Sequence, residues 1–180
     1  VDWAERHILE VATLRAGGFE SAETLAMSGL DRLEARWKAR SPCTGISTGF
    51  ADLDEITSGL QPGNLVIVAA RPSMGKTSFA TQVGRNVGKS GKAALIFSLE
   101  MSKEELMDRL LLGEAGINSV RVRNGYFRKE EWTRLSDAAS TVGGMPLFID
   151  DSADVGPMDI RARARRLQRR MGLDIGLIVV

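Results

Sequence analysis

The chain has a single cysteine, Cys43, among its 180 residues. One thiol excludes an intramolecular disulfide and a cysteine-cluster metal site, and it suits a reducing cytoplasmic compartment. No run of about 18 apolar residues occurs, so no membrane span is expected. The start, Val1-Asp2-Trp3-Ala4-Glu5-Arg6, is charged and is no signal peptide; it also lacks an initiator Met, so a piece of a longer protein is expected. An excess of either charge is lacking as well, with 24 Lys and Arg against 23 Asp and Glu. The formal net charge is +1, so any surface for nucleic acid must come from local clustering. The lone histidine, His7, has no nearby partner in sequence and reads as filler rather than a ligand. Internal repeats and low-complexity tracts are absent. With 43% hydrophobic and 26% charged residues, the composition is that of a soluble globular domain burying roughly 70% of its unfolded surface.

Against that plain background one stretch stands out: Ala70-Arg71-Pro72-Ser73-Met74-Gly75-Lys76-Thr77. It follows the apolar run Leu65–Ala69 and precedes a helical pattern from Ser78. A strand, a glycine-bearing loop and a helix in that order are the context a phosphate-binding loop requires, whereas an ordinary glycine turn would explain neither Lys76-Thr77 nor the preceding strand. Backbone amides of the loop and helix start can converge on the polyphosphate of a nucleoside triphosphate. Lys76 would reach the β- and γ-phosphates and the Thr77 hydroxyl would ligate Mg²⁺. The usual leading glycine is replaced by Ala70, while Gly75, next to the phosphates, is kept.

The rest of the chain alternates. Asp2 with Glu5 predicts a capped first helix, with Ala4, Ile8, Val11, Ala12 and Arg15 on one face and Gly17-Gly18 at its end. A second helix is predicted from about Ser21 to Trp37, with Leu30, Leu33 and Trp37 as its stripe. Residues 40–49 read as a linker, with Cys43 incidental within it. Two small helices make no core of their own, so residues 1–40 must pack on something else. Beyond the linker, strands are predicted at Leu65–Ala70, Ala93–Ser98, Pro146–Ile149 and Gly176–Val180. Helices are predicted at Lys76–Lys89, Ser102–Leu112, Lys129–Thr141 and Pro157–Met171. Continuous apolar strands indicate a parallel sheet covered on both faces, a three-layer α/β domain.

Further chemistry is less determinate. Glu100, at the C-terminal end of the second strand, is placed either to polarise an attacking water or to favour the start of the following helix. The helix at 160–171 carries arginines at 161, 163, 165, 166, 169 and 170, with Ile160, Ala164, Leu167 and Met171 as an apolar stripe. Its basic faces suit solvent, a subunit contact or nucleic-acid phosphates. Arg121–Gly125 reads as a smaller basic loop with the same ambiguity. Asp150, Asp151 and Asp154 suit a metal or, better, the cap of the helix beginning near Pro157. Met101 and Met107 fit packing.

The run Gly45-Ile46-Ser47-Thr48-Gly49-Phe50, then Leu53-Asp54 and Gly59-Leu60-Gln61-Pro62-Gly63, leads into the phosphate loop. Together with Phe97-Ser98-Leu99-Glu100-Met101-Ser102 it resembles the replicative DNA helicases of the DnaB family. Asp2–Arg6 resembles that family's linker helix, so the resemblance spans nearly the whole chain. It implies a RecA-like motor core (residues 41–180, a partial sheet) behind a helical linker segment (residues 1–40). It implies ATP and Mg²⁺ as cofactors and a hexameric ring around single-stranded DNA. Partners are then primase and a helicase loader, bound through regions outside this chain, with no membrane. By the same resemblance Glu100 activates water, Lys76 and Thr77 act as above, and Ala70 through Ser78 and Arg109 lie at the nucleotide. The terminal strand resembles the one before the Walker B aspartate, so residues 1–180 alone are expected to hydrolyse almost nothing. Two other readings stay open: a non-helicase RecA-type ATPase, and a non-catalytic docking module.

Overall fold

A computed structural model describes residues 20–39, 43–126 and 128–180. The expected first helix, its face and His7 lie outside the described residues. The chain divides into two compact units, Val1–Ser41 and Pro42–Val180.

In the first unit, α1 runs Ala22–Ala39. The Ser21 hydroxyl accepts the Thr24 N–H at 3.2 Å, a local cap. The stripe Leu30, Leu33 and Trp37 is exposed, Trp37 at 75%.

The second unit is built on a three-stranded parallel sheet in the order β2-β1-β3. β1 is Ala93–Phe97, β2 Leu147–Asp150 and β3 Ile175–Val179. Before the sheet come α2 (Ala51–Thr57) and α3 (Lys76–Lys89). Between β1 and β2 lie α4 (Lys103–Ala115), α5 (Ser119–Arg123) and α6 (Lys129–Gly143); α7 (Pro157–Met171) links β2 to β3. All five β1 residues are buried, because the central strand has a helix on each face. Alternate residues serve opposite layers. Ala94 packs with Val83 and Val87 of α3, while Leu95 and Phe97 pack with Ala164 of α7. Each fully buried large aliphatic here contributes roughly 1.5–3 kcal/mol of transfer free energy. The arginine-rich helix thus presses Ile160, Ala164 and Leu167 toward the sheet, but Met171 at its end is 50% exposed. α4 and α6 make a satellite cluster from Ala115, Ile117 and Ala138 with Leu112, Val122 and Leu135.

One predicted strand is not formed. Leu65–Ala70 is outside the sheet, and Leu65 and Ile67 are exposed. An apolar pattern encodes a preference for burial, but a strand exists only through backbone pairing with a neighbour. β3 pairs with β1 along one edge, and the 65–70 segment does not pair with it. The predicted linker and its continuation are also more ordered than a linker implies. Ile46 and Leu60 exchange backbone hydrogen bonds at 2.8 Å, and α2 lies between them in sequence. Asp54 of α2 is buried and accepts from the Ser47 and Thr48 hydroxyls at 2.6 and 2.7 Å and from the Thr48 N–H at 2.9 Å. Burial pushes its carboxyl up, but these hydrogen bonds outweigh burial and hold it below the usual range. Arg121–Gly125, read as a loop, is largely the short helix α5, and Arg121 pairs with Glu131 at 3.2 Å.

Candidate functional site

The loop 70–75 leads into α3, whose direction fixes what lies near it. Gly88 packs on Met145, just before β2, and Gly84 packs on Ile96, near the end of β1. α3 therefore runs antiparallel to the strands, and its N-terminus points to their C-terminal edge. Glu100 lies in the bend following β1 at that same edge. The structure so brings Lys76 and Glu100 to one end of the sheet, though the loop follows an unpaired segment rather than a strand.

Arg71, Pro72, Ser73, Met74 and Gly75 are exposed in a turn, with the Met74 N–H donating to the Arg71 carbonyl at 3.2 Å. Ser73 has φ 65° and Gly75 φ 89°, left-handed backbone that glycine alone adopts freely. Apart from Gly75 itself and its two chain neighbours, no atom lies within 4 Å of where a Gly75 Cβ would stand. α3 opens without a side-chain cap on its first amides. An uncapped 14-residue helix start with open space beside its glycine suits a phosphate group. Lys76 is exposed and pairs with no acid among the described residues. Thr77 follows half-buried, and Ala70 and Ser78 are exposed. Arg109, on α4, pairs with Glu105 of its own helix at 3.1 Å and is not drawn toward the loop by any contact among the described residues.

Around Glu100 several hydrogen bonds fix the chain. The Ser98 hydroxyl donates to the Met101 carbonyl at 2.7 Å and accepts the Met101 N–H at 3.2 Å. Ser102 caps α4 by accepting the Glu105 N–H at 3.2 Å. Asp151, at the end of β2, accepts the Lys103 N–H at 3.2 Å and the Lys103 ammonium at 3.3 Å. These bonds, the Lys103 amide first, hold the Asp151 carboxyl below its usual range. Beside it, Asp150 accepts from the Ser152 hydroxyl at 2.7 Å and from Arg163 at 2.5 Å. Those two donors hold Asp150 down at about 2.

The aspartate expectation is thus overturned. The N-cap of α7 is Gly156, whose N–H donates to Asp159 at 3.1 Å, so Asp150, Asp151 and Asp154 do not cap it. Asp150 goes to Arg163 and Asp151 to α4, because a cap is set by whichever amide the fold brings near. No group of three or more acidic, histidine or cysteine side chains is arranged for a metal ion among the described residues. Asp151 carries no local signal, since Lys103 and Asp151 are 48 residues apart. Asn86 is a further omission: its Nδ2 donates to the Thr48 carbonyl at 2.8 Å, and the only hint was a polar residue between Val83 and Val87 on a buried helix face.

Comparison with known proteins follows the same outline. Residues 45–180 match the family described as DnaB-like helicase C terminal domain. The chain is 40% identical over 182 residues to the replicative DNA helicase DnaB of Geobacillus stearothermophilus, covering 100% of this chain and 40% of that protein. A solved structure described as an ATPase domain superposes with TM-score 0.80 at 30% identity, covering 90% of this chain and 56% of that one. A solved DnaB-like replicative helicase, described with its interactions with primase, gives TM-score 0.76 at 29% identity, covering 97% of this chain and 42% of that one. The chain therefore spans about 40% of the length of the curated relative, and its three-layer fold is the RecA-like α/β core of the ATPase domains it superposes on.

Proposed function

This chain belongs to the DnaB-like helicase C-terminal-domain family, and from that we propose that it is the nucleotide-binding part of a replicative DNA helicase motor. In the whole protein, ATP hydrolysis would drive translocation on single-stranded DNA and duplex unwinding. The observation that carries the proposal is the uncapped start of α3, with Gly75 left-handed before Lys76-Thr77, at the sheet edge that also bears Glu100. Amides and an ammonium brought to bear on one phosphate would stabilise its charge.

The roles follow from position. Amides of residues 70–78 and the Lys76 ammonium would hold the polyphosphate, and Thr77 would hold Mg²⁺. Bound Mg²⁺ supplies neutralisation of the charge that develops on the phosphates. Glu100, exposed at the lip, would orient and deprotonate the attacking water. Arg109 would lie toward the nucleotide once its Glu105 pairing is exchanged. Residues 1–40 would be a helical linker and residues 41–180 part of the ATPase domain. The exposed stripe of α1 supports a docking role for the linker in a hexameric ring. Primase and a loader would bind regions outside this chain, in the cytoplasm. Among the described residues no helix is long and apolar enough to cross a membrane.

The test is strand displacement by the full-length protein on a forked duplex with MgATP. Unwinding that disappears in Lys76→Ala supports the proposal. Hydrolysis without any unwinding would instead favour a RecA-type ATPase that is not a helicase.

A further inference from the structure

Glu100 is exposed, and its carboxylate has no hydrogen-bond partner among the described residues. Its own side chain therefore does nothing to fix its place. The backbone carrying it does, and that backbone is pinned at both ends. On one side, the Ser98 hydroxyl closes a ring across Leu99 and Glu100 through its two bonds to Met101, at 2.7 and 3.2 Å. On the other, Lys103, the first residue of α4, is gripped twice by Asp151, at 3.2 Å through its N–H and 3.3 Å through its ammonium.

Asp151 is itself braced from the far side of the sheet. Its neighbours Asp150 and Ser152 bond each other at 2.7 Å, and Arg163 of α7 donates to both, at 2.5 and 2.9 Å. The Ser98 N–H also donates to the Asp150 carbonyl at 2.8 Å, joining the two strand ends. A contiguous set of polar contacts thus runs from α7 through the tip of β2 to the start of α4, and it ends three residues from Glu100.

We propose that Asp151 is a positioning residue for Glu100: its double grip on Lys103 fixes the bend that presents the glutamate to the nucleotide site. The inference rests on the assignment of Glu100 as the base. A structural cap alone would be satisfied by any acceptor and would act on stability. A positioning residue acts on the chemical step, where about 1 Å of misplacement costs on the order of 10²-fold in rate.

The experiment uses the full-length helicase with MgATP and single-stranded DNA. Asp151→Ala, Asp151→Asn, Lys103→Ala and Glu100→Gln are compared for kcat, KM, melting temperature and hydrogen exchange of residues 98–103. Asp151→Ala is expected to lower kcat by about 10- to 100-fold with KM within about twofold, while the 98–103 amides exchange faster. Asp151→Asn keeps an acceptor for the Lys103 amide and should recover most of the rate. Lys103→Ala, which keeps the amide, should lose less than Asp151→Ala and stands in if that variant does not fold. An unchanged kcat overturns the proposal, as does a loss that merely follows the melting temperature without recovery in Asp151→Asn. If Glu100→Gln turns over normally, the base assignment has failed; the exchange data still report whether Asp151 holds the bend.

Discussion

Asn86, in the last turn of α3, donates from Nδ2 to the carbonyl of Thr48 at 2.8 Å. Thr48 in turn anchors Asp54, and Phe50 stacks on Phe79 of α3 with centroids 5.2 Å apart. The glycine-rich segment ahead of the phosphate loop is therefore a clasp on the helix that follows the loop. Gly49 fits only because it has no side chain: a Cβ there would lie 2.2 Å from Asn86 Nδ2, and φ is 80°. Asn86→Ala leaves the Thr48 carbonyl without that donor and should cost about 1–3 kcal/mol. Gly49→Ala should cost at least as much through strain. Urea unfolding of each variant measures this, and an unchanged midpoint would mean that the clasp contributes nothing.

Lys76→Ala should abolish ATP binding in the full-length protein, and Glu100→Gln should keep binding while hydrolysis stalls. Fluorescent-nucleotide titration and phosphate release separate the two. Glu100→Gln hydrolysing at the parent rate would remove Glu100 from the mechanism.

The Asp150 carboxyl is lowered from 3.8 to about 2, chiefly by the Ser152 hydroxyl and then by Arg163. A depressed carboxyl stabilises the fold above its unfolded value, and that contribution disappears as pH falls through the folded value. Asp150 therefore contributes in full at neutral pH and loses its contribution between about pH 4 and pH 2. Because the pair is partly exposed, the effect is on the order of 1 kcal/mol after screening. Stability of the parent and of Asp150→Asn, measured down this range, should converge at the acid end. A constant gap would show that Asp150 acts by packing alone.

Residues 1–180 by themselves should release almost no phosphate from ATP. The loop at 71–76 is exposed, and Leu65–Ala70 leading into it is unpaired, so the cradle has no sheet strand behind it. Robust turnover in a phosphate-release assay at high protein concentration would contradict this.

Sequence alone specified the strands and long helices whose cause is local, but not the short helices α2 and α5. The Ala93–Phe97 strand follows from an unbroken apolar run, and α7 opens at Pro157 and closes before Gly172 as those residues require. The candidate phosphate loop stands out in the sequence because the chemistry proposed for it needs adjacent residues, Gly75, Lys76 and Thr77, in a row. Tertiary structure alone decided whatever depends on a distant partner. Leu65–Ala70 has the composition of a strand and no neighbour to pair with. Asp151 has the look of a cap for α7 and instead holds α4, 48 residues upstream. Burial preference and backbone torsion are properties of a segment, whereas hydrogen bonds between strand ends and helix starts belong to pairs that only folding brings into reach.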